Sequence, residues 1–380
     1  MDALPLAQAL IRCPSVTPQE AGALGVLEAA LQPLGFVCER LTFNGHNSAP
    51  VENLFAKRGQ SGPHFAFAGH VDVVPVGDAA AWSVPPFDAV VQDGWLIGRG
   101  AADMKGGIAC FVAAVADFVQ RQPQGCISLL ITCDEEGPSV NGTEPLLQAL
   151  AARGERFDAC LVGEPTSAQT FGDMAKIGRR GSLSGTITVK GTQGHVAYPE
   201  RADNPIPRLL KILTALEAAV LDNGTPDFPP SNLEIVSVDV GNPTFNIIPA
   251  KASALFNVRF NNLHSGKSLA QTISQICAST GENCEIVYKE GSEPFLTQPG
   301  PLSTAVVRAV EAVMGKAPVL STTGGTSDAR FISRYCPVVE LGVLNHTAHH
   351  VDEKVAVEDL AKLTRIYHTL LTDWFAHHAA

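Results

Sequence analysis

The stretch FAFAGHVDVVP, Phe65 to Pro75, places an imidazole and a carboxylate at the far end of an apolar run. Read as one strand, it puts His70 and Asp72 on the same face, because strand side chains repeat every second residue. A buried histidine hydrogen-bonded to a nearby acid is the ordinary outcome for such a pair. The alternative is a metal-ligating histidine whose second ring nitrogen is held by a carboxylate.

Four further stretches carry groups of the same chemistry. GRGAADMKGG sets Asp103 in a glycine-rich turn ahead of a helix. ITCDEEGPSVNGTE ends an apolar run in Asp134, Glu135 and Glu136, and LVGEPT ends another in Glu164. Far downstream, NHTAHHVDE carries His346, His349, His350 and Glu353. Each has a plain reading alone: Asp103 as a helix cap, the glutamates as a solvated loop, the histidines as surface groups. Together they mean more. Carboxylates gathered at neighbouring strand ends repel one another unless cations or protons compensate them. A mixed set of imidazoles and carboxylates suits Zn(II), Mn or Co. One shared carboxylate permits two ions about 3.5–4 Å apart.

The elements that must position these groups follow from periodicity. HFAFAGHVDVV, CISLLITCDEEG and FDACLVGEP read as strands that are nearly continuous in apolar residues. Helices GGIACFVAAVADFVQRQ and TEPLLQALAARG lie between them. That is an α/β layer with parallel character, both sheet faces being covered by helices. In open α/β sheets, ligands bind beyond the carboxyl ends of the strands, where His70 and the acids gather. After Lys176 the pattern changes. SLSGTITVKG, NPIPRLLKILTALEAAVLD, NLEIVSVDVG, SALFNVRFN, SLAQTISQICASTG and CEIVYKEG give the order β-α-β-β-α-β, which is ferredoxin-like. The α/β pattern then resumes at PLSTAVVRAVEAVMG. The reading is therefore one domain inserted in another, with residues 1–178 and 293–380 forming the first and 179–292 the insert.

Composition excludes several classes. The 380 residues are 45% hydrophobic and 17% charged, as in a globular chain long enough for two cores. A net charge of -11 without any basic tract argues against nucleic acid as a partner. No 18-residue apolar run is present, which argues against a membrane span. The start MDALPLAQALIRCPSVTPQE reads as an amphipathic helix ending near Cys13-Pro14 rather than a signal peptide. Nine scattered cysteines without a C-x-x-C pair point to reduced thiols and a cytoplasmic location.

GHVDVVP, GRGAADMKGG, DEEGPSVNGT, GEPT and a C-terminal His followed by Val-Asp-Glu resemble the M20 family of dinuclear zinc amidohydrolases and aminoacylases. The likeness spans nearly the whole chain. It implies an α/β, zinc-peptidase-like catalytic domain with an inserted ferredoxin-like α+β dimerisation domain. It implies two Zn(2+) per subunit, with Co(2+) or Mn(2+) able to substitute. Asp103 would bridge the ions; His70 and Glu164 would complete one site, Glu136 and His349 the other. Asp72 would orient His70, and Glu135 would be the general acid/base. GRRGSLSGTITVKGTQGHVAYP, FNIIPA and STTGGTSDARF resemble the members that cleave a succinyl amide from diaminopimelate. The resemblance then implies carboxylate recognition by Arg179, Arg259 and Arg330, with Gly324, Gly325 and Thr326 as donors near the acyl group. His195 would stabilise the oxyanion, and Asn246 would also reach across to the opposite subunit of a homodimer. Other family activities stay open at this point: deacetylation of acetylornithine, aminoacylase or metallopeptidase action. A non-catalytic binding protein on the same fold is disfavoured by the presence of Glu135 and every ligand position.

Overall fold

The computed structural model describes residues 1–45, 47–121 and 125–378, and the chain divides into two units. The first comprises Met1–Ile177, Thr297–Ser321 and Ser327–Ala380; the second comprises Gly178–Leu296 and Thr322–Thr326. The sequence reading assigns the short return Thr322–Thr326 to the first unit. Hydrogen bonds place it in the second: Thr322 Oγ1 donates to Asp227 O at 2.5 Å, and Arg179 Nη1 donates to Gly325 O at 3.1 Å.

The first unit is built on an eight-stranded sheet. Its order is Val37–Phe43, Val51–Arg58, Cys126–Thr132, His64–His70, Ala159–Val162, Val338–Glu340, Met174–Lys176, Val319–Ser321. The central pairs are parallel, while Val51–Arg58 runs antiparallel to both of its neighbours, so the sheet is mixed. His64–His70 is buried along its whole length. Its Phe67 stacks on Phe111 of helix Lys105–Phe118 at 4.1 Å, and its Phe65 meets Trp374 of helix Val357–His378 edge-on at 5.1 Å. Each such phenylalanine, fully buried, stabilises by about 2 kcal/mol. Helix Lys105–Phe118 ends sooner than the sequence suggests, passing into a tight turn at Val119–Arg121. Gln122, the last residue of that reading, lies outside the described residues.

The second unit holds a four-stranded antiparallel sheet ordered Asn232–Asp239, Lys251–Phe260, Gly181–Lys190, Glu285–Ser292. Numbered along the chain, that is second, third, first, fourth: the ferredoxin-like arrangement. Strict alternation along Gly181–Lys190 sends Leu183, Ile187 and Val189 into a core shared with helices Pro205–Glu217 and Gly266–Ser279. Both helices start on side-chain caps. Asn204 accepts from Ile206 N–H ahead of Pro205, and Ser265 and Ser268 form a capping box. Among the described residues, no helix is long and apolar enough to cross a membrane.

Candidate metal centre

Parallel pairing brings three strand ends to one edge of the first unit's sheet. His70 lies opposite Thr132, and Ala68 lies opposite Val162. Residues just beyond those ends become neighbours: Glu135 and Glu136 on one side, Glu164 on the other. Helix Lys105–Phe118 brings Asp103 to the same place. A Cβ on Gly107 would stand 2.5 Å from Gly163 O, so glycine is what allows the helix start so close to the Glu164 turn. The helix-cap reading of Asp103 does not hold. The cap position is Met104, which makes no side-chain cap bond, and the Asp103 carboxylate faces two histidines instead.

The distances define the cluster. His70 Nε2 lies 3.2 Å from Asp103 Oδ1 and 3.6 Å from Glu164 Oε1. His349 Nε2 lies 3.4 Å from Asp103 Oδ2 and 2.8 Å from Glu136 Oε1. The two oxygens of Asp103 therefore face two different imidazoles. Ligand atoms of His70, Glu135 and Glu164 fall within 4.8 Å of one another, as do those of His70, Asp103 and Glu136. Glu135 thus has the reach of a ligand as well as of a proton carrier. His346 bonds the Ala168 carbonyl instead, and the backbone oxygen of His350 accepts from Arg99.

Asp72 meets His70 as its spacing suggests, but more closely through its backbone than through its carboxylate. The strand ends at His70, and His70 Nδ1 lies 2.9 Å from the Asp72 carbonyl oxygen, with the Asp72 carboxylate at 3.6 Å. A carbonyl only accepts, so Nδ1 carries a proton and Nε2 is the ring nitrogen turned towards the acids, whose lone pair would serve a cation once its own proton is displaced. The buried Asp72 carboxylate instead accepts the backbone N–H groups of Glu135 and Glu136 at 3.3 and 3.1 Å.

The electrostatics show a site short of positive charge. Burial alone would lower the pKa of His70, but hydrogen bonds to Asp103 and Glu164 carry it well above the usual imidazole value. His349 is raised to about 10 by Asp103 and Glu136. Burial pushes Glu135 well above the usual carboxylate range, reinforced by the charge of Glu164. Glu164 is raised to about 7 by burial and by Asp103. Burial opposes ionisation of Asp103, yet its bonds to His349 and His70 hold it well below the usual range. The two imidazoles and the buried carboxyls of Glu135 and Glu164 favour their protonated forms here, and divalent cations would take the place of those protons. Donor type, convergence and charge all fit a pair of such ions.

The candidate substrate groups are distributed between the units. In the second, buried Arg179 reaches Gly325 O. Gly324 has φ of +103°, and a Cβ there would meet Arg179 Nη1 at 2.8 Å. Thr326 is in the same return segment. Arg259 lies half-buried on Lys251–Phe260. His195 and Asn246 are both exposed, on short paired segments in which Val196 N–H donates to Asn246 O at 3.1 Å. Arg330 belongs to the first unit, where it stacks over Phe331 at 4.3 Å and donates to Ser327 O at 3.3 Å. Two participants were not visible in the sequence. The Thr17 side chain lies close to Asp72 and favours its ionised form, and buried Asp328, held by Thr143 Oγ1 at 2.6 Å, adds negative charge near Glu135. Neither lies in a spacing that marks it.

A profile of peptidase family M20/M25/M40 matches residues 66–373. The chain belongs to this family. Two relatives, from Rhodospirillum centenum and Parvibaculum lavamentivorans, are named succinyl-diaminopimelate desuccinylase. The first is 56% identical over 99% of this chain and 98% of its own length; the second is 54% identical over 100% and 97%. The fold is shared with the M20 family metallo-carboxypeptidase Sso-CP2 from Sulfolobus solfataricus. That match has a TM-score of 0.80 at 18% identity, covering 99% of this chain and 100% of that one.

Proposed function

We propose that this chain is a cytoplasmic hydrolase of amino-acid biosynthesis. It takes N-succinyl-LL-2,6-diaminopimelate and water to succinate and LL-2,6-diaminopimelate, with two zinc ions as its cofactor. The observation that carries the hydrolytic reading is Asp103 set between His70 and His349 with Glu135 alongside. The names of relatives at 54–56% identity support the substrate. Nine free cysteines support a reducing compartment.

His70, Asp103 and Glu164 would hold one ion, and Asp103, Glu136 and His349 the other. Divalent ions bound there polarise an amide carbonyl and lower the pKa of water. Glu135 takes a proton from the water as its oxygen adds to the carbonyl carbon. When the C–N bond breaks, Glu135 gives that proton to the departing nitrogen, leaving a carboxylate and a free amine. Burial favours the protonated form of Glu135, and nearby cationic charge would favour the carboxylate that the first step needs. Asp72, by holding both N–H groups of the Glu135–Glu136 turn, keeps these side chains on separate tasks.

The substrate brings three carboxylates to a chain of net charge -11. Arg179, Arg259 and Arg330 supply local cations suited to them, with Gly324, Gly325 and Thr326 as donors for the succinyl end. His195 and Asn246, both exposed in the second unit, act in the site of a second copy within a homodimer formed through that unit. Acetylornithine deacetylation and dipeptide cleavage use the same cluster chemistry, so a substrate panel decides between them. Zinc-loaded protein is assayed on N-succinyl-LL-diaminopimelate, N-acetylornithine and a dipeptide. The succinyl compound should give the highest kcat/KM, and a higher value for either competitor overturns the substrate assignment.

A further inference from the structure

Behind the cluster lies a buried ion pair between residues 254 apart in the chain: Arg99 Nη1 donates to Glu353 Oε2 at 2.8 Å. The Glu353 carboxylate also gathers the backbone of the Asp103 loop. Its Oε1 accepts from Ala102 and Asp103 N–H, both at 2.9 Å, and its Oε2 accepts from Gly100 N–H at 3.0 Å. Arg99 reaches the other way, donating to His350 O at 3.1 Å, Pro75 O at 3.3 Å and His349 O at 3.5 Å. One charge pair therefore ties the loop of the bridging carboxylate to the loop of His349.

The His349 loop needs such a hold. His349 and Asp352 have φ of +64° and +56°, left-handed values that non-glycine residues keep only where their surroundings over-determine them. The His349 side chain is half exposed, so packing does not fix it. The restraints are on the backbone. Arg99 takes the carbonyls, Gly98 N–H donates to Glu353 O at 2.9 Å, and the Asp352 carboxylate accepts from Ser83 N–H and Oγ at 2.8 and 3.0 Å. His70 and Glu164, by contrast, are set by strand ends.

We propose that Arg99 and Glu353 are positioning residues that set Asp103 and His349 against each other. They thereby fix the affinity of the cation held by Asp103, Glu136 and His349, and affect the His70–Glu164 cation far less. This rests on the two-ion reading above.

The test is zinc titration of metal-free protein, by calorimetry and by competition with a chelating dye, alongside melting of the metal-free form. His349→Ala identifies which binding step belongs to the His349 side. Glu353→Gln keeps the shape but loses the charge and one acceptor oxygen. It should weaken the His349-side step by about tenfold or more, as loss of a group behind a metal ligand typically does, while the other step shifts by less than about threefold. Arg99→Lys keeps a positive charge beside Glu353 but gives up the forked reach to the carbonyls, and should show the same selectivity at smaller size. If Glu353→Gln does not fold, the comparison is read from Arg99→Lys. Equal weakening of both steps, or no weakening of either, with two ions still bound by the wild type, overturns the positioning role alone. A wild type that binds fewer than two ions overturns the two-ion reading and this proposal with it.

Discussion

Glu135 and Glu136 are adjacent in sequence and face different partners. Glu136 Oε1 lies 2.8 Å from His349 Nε2, whereas the Glu135 carboxylate lies with His70 and Glu164. Their N–H groups share one acceptor, Asp72, which fixes the turn from which the two side chains diverge. Glu135→Gln should keep its bound cations and lose at least about 100-fold in kcat, the lower range for removing a general acid–base group. Glu136→Gln should lose cation content before anything else. Turnover and metal per chain, measured on the same preparations, separate the two. Near-normal kcat in Glu135→Gln places the base elsewhere, and loss of metal from that variant makes Glu135 a ligand.

Among the elements, the strands that carry His70, Glu135, Glu136 and Glu164 were legible because each apolar run ended in a histidine or in acids. What periodicity did not show is where a strand leaves its sheet. Val71, Val73 and Val74 continue the apolar run of His64–His70, yet the backbone changes partner after Val71, whose N–H still donates to Thr132 O at 3.0 Å. Val73 N–H donates to Ser15 O, Thr17 N–H donates to Val73 O, and Val16 bridges Val73. Hydrophobic pattern records burial, not the identity of the partner strand, so the change was invisible. Beyond that point the Asp72 carboxylate accepts from the Glu135–Glu136 turn while staying 3.6 Å from His70 Nδ1. The pairing of Arg99 with Glu353 was hidden for a related reason, although both residues lie in motifs that the sequence singles out. Their pairing depends on two loops meeting in space, and a charged residue in a polar loop carries no sign that it will be buried. Asp103 was the opposite case. Its local setting suggested a helix cap, and only the acids and histidines elsewhere in the chain pointed to its shared role.

At the level of the whole molecule, the β-α-β-β-α-β run was legible from its alternating strands. The five-residue return Thr322–Thr326 was not, having no apolar period to read. Quaternary structure enters the account through His195. Subunit exchange tests it: His195→Ala protein is mixed with Glu135→Gln protein, each nearly inactive alone. In a mixed dimer one site has an intact Glu135 and receives an intact His195 from the other copy, so activity should reappear. An oxyanion donor is worth about 3–4 kcal/mol, enough for the recovery to be plain. Mixed dimers, shown by mass, that stay at parental activity contradict action across the dimer. The central claim is the shared carboxylate, and the most direct measurement is a crystal structure of zinc-saturated protein with anomalous data at the zinc edge. Two peaks should flank Asp103, each about 2.0–2.2 Å from one of its oxygens, one beside His70 and Glu164 and the other beside Glu136 and His349. An Asp103 side chain with no ion against it, or with a single ion at saturating zinc, contradicts the account.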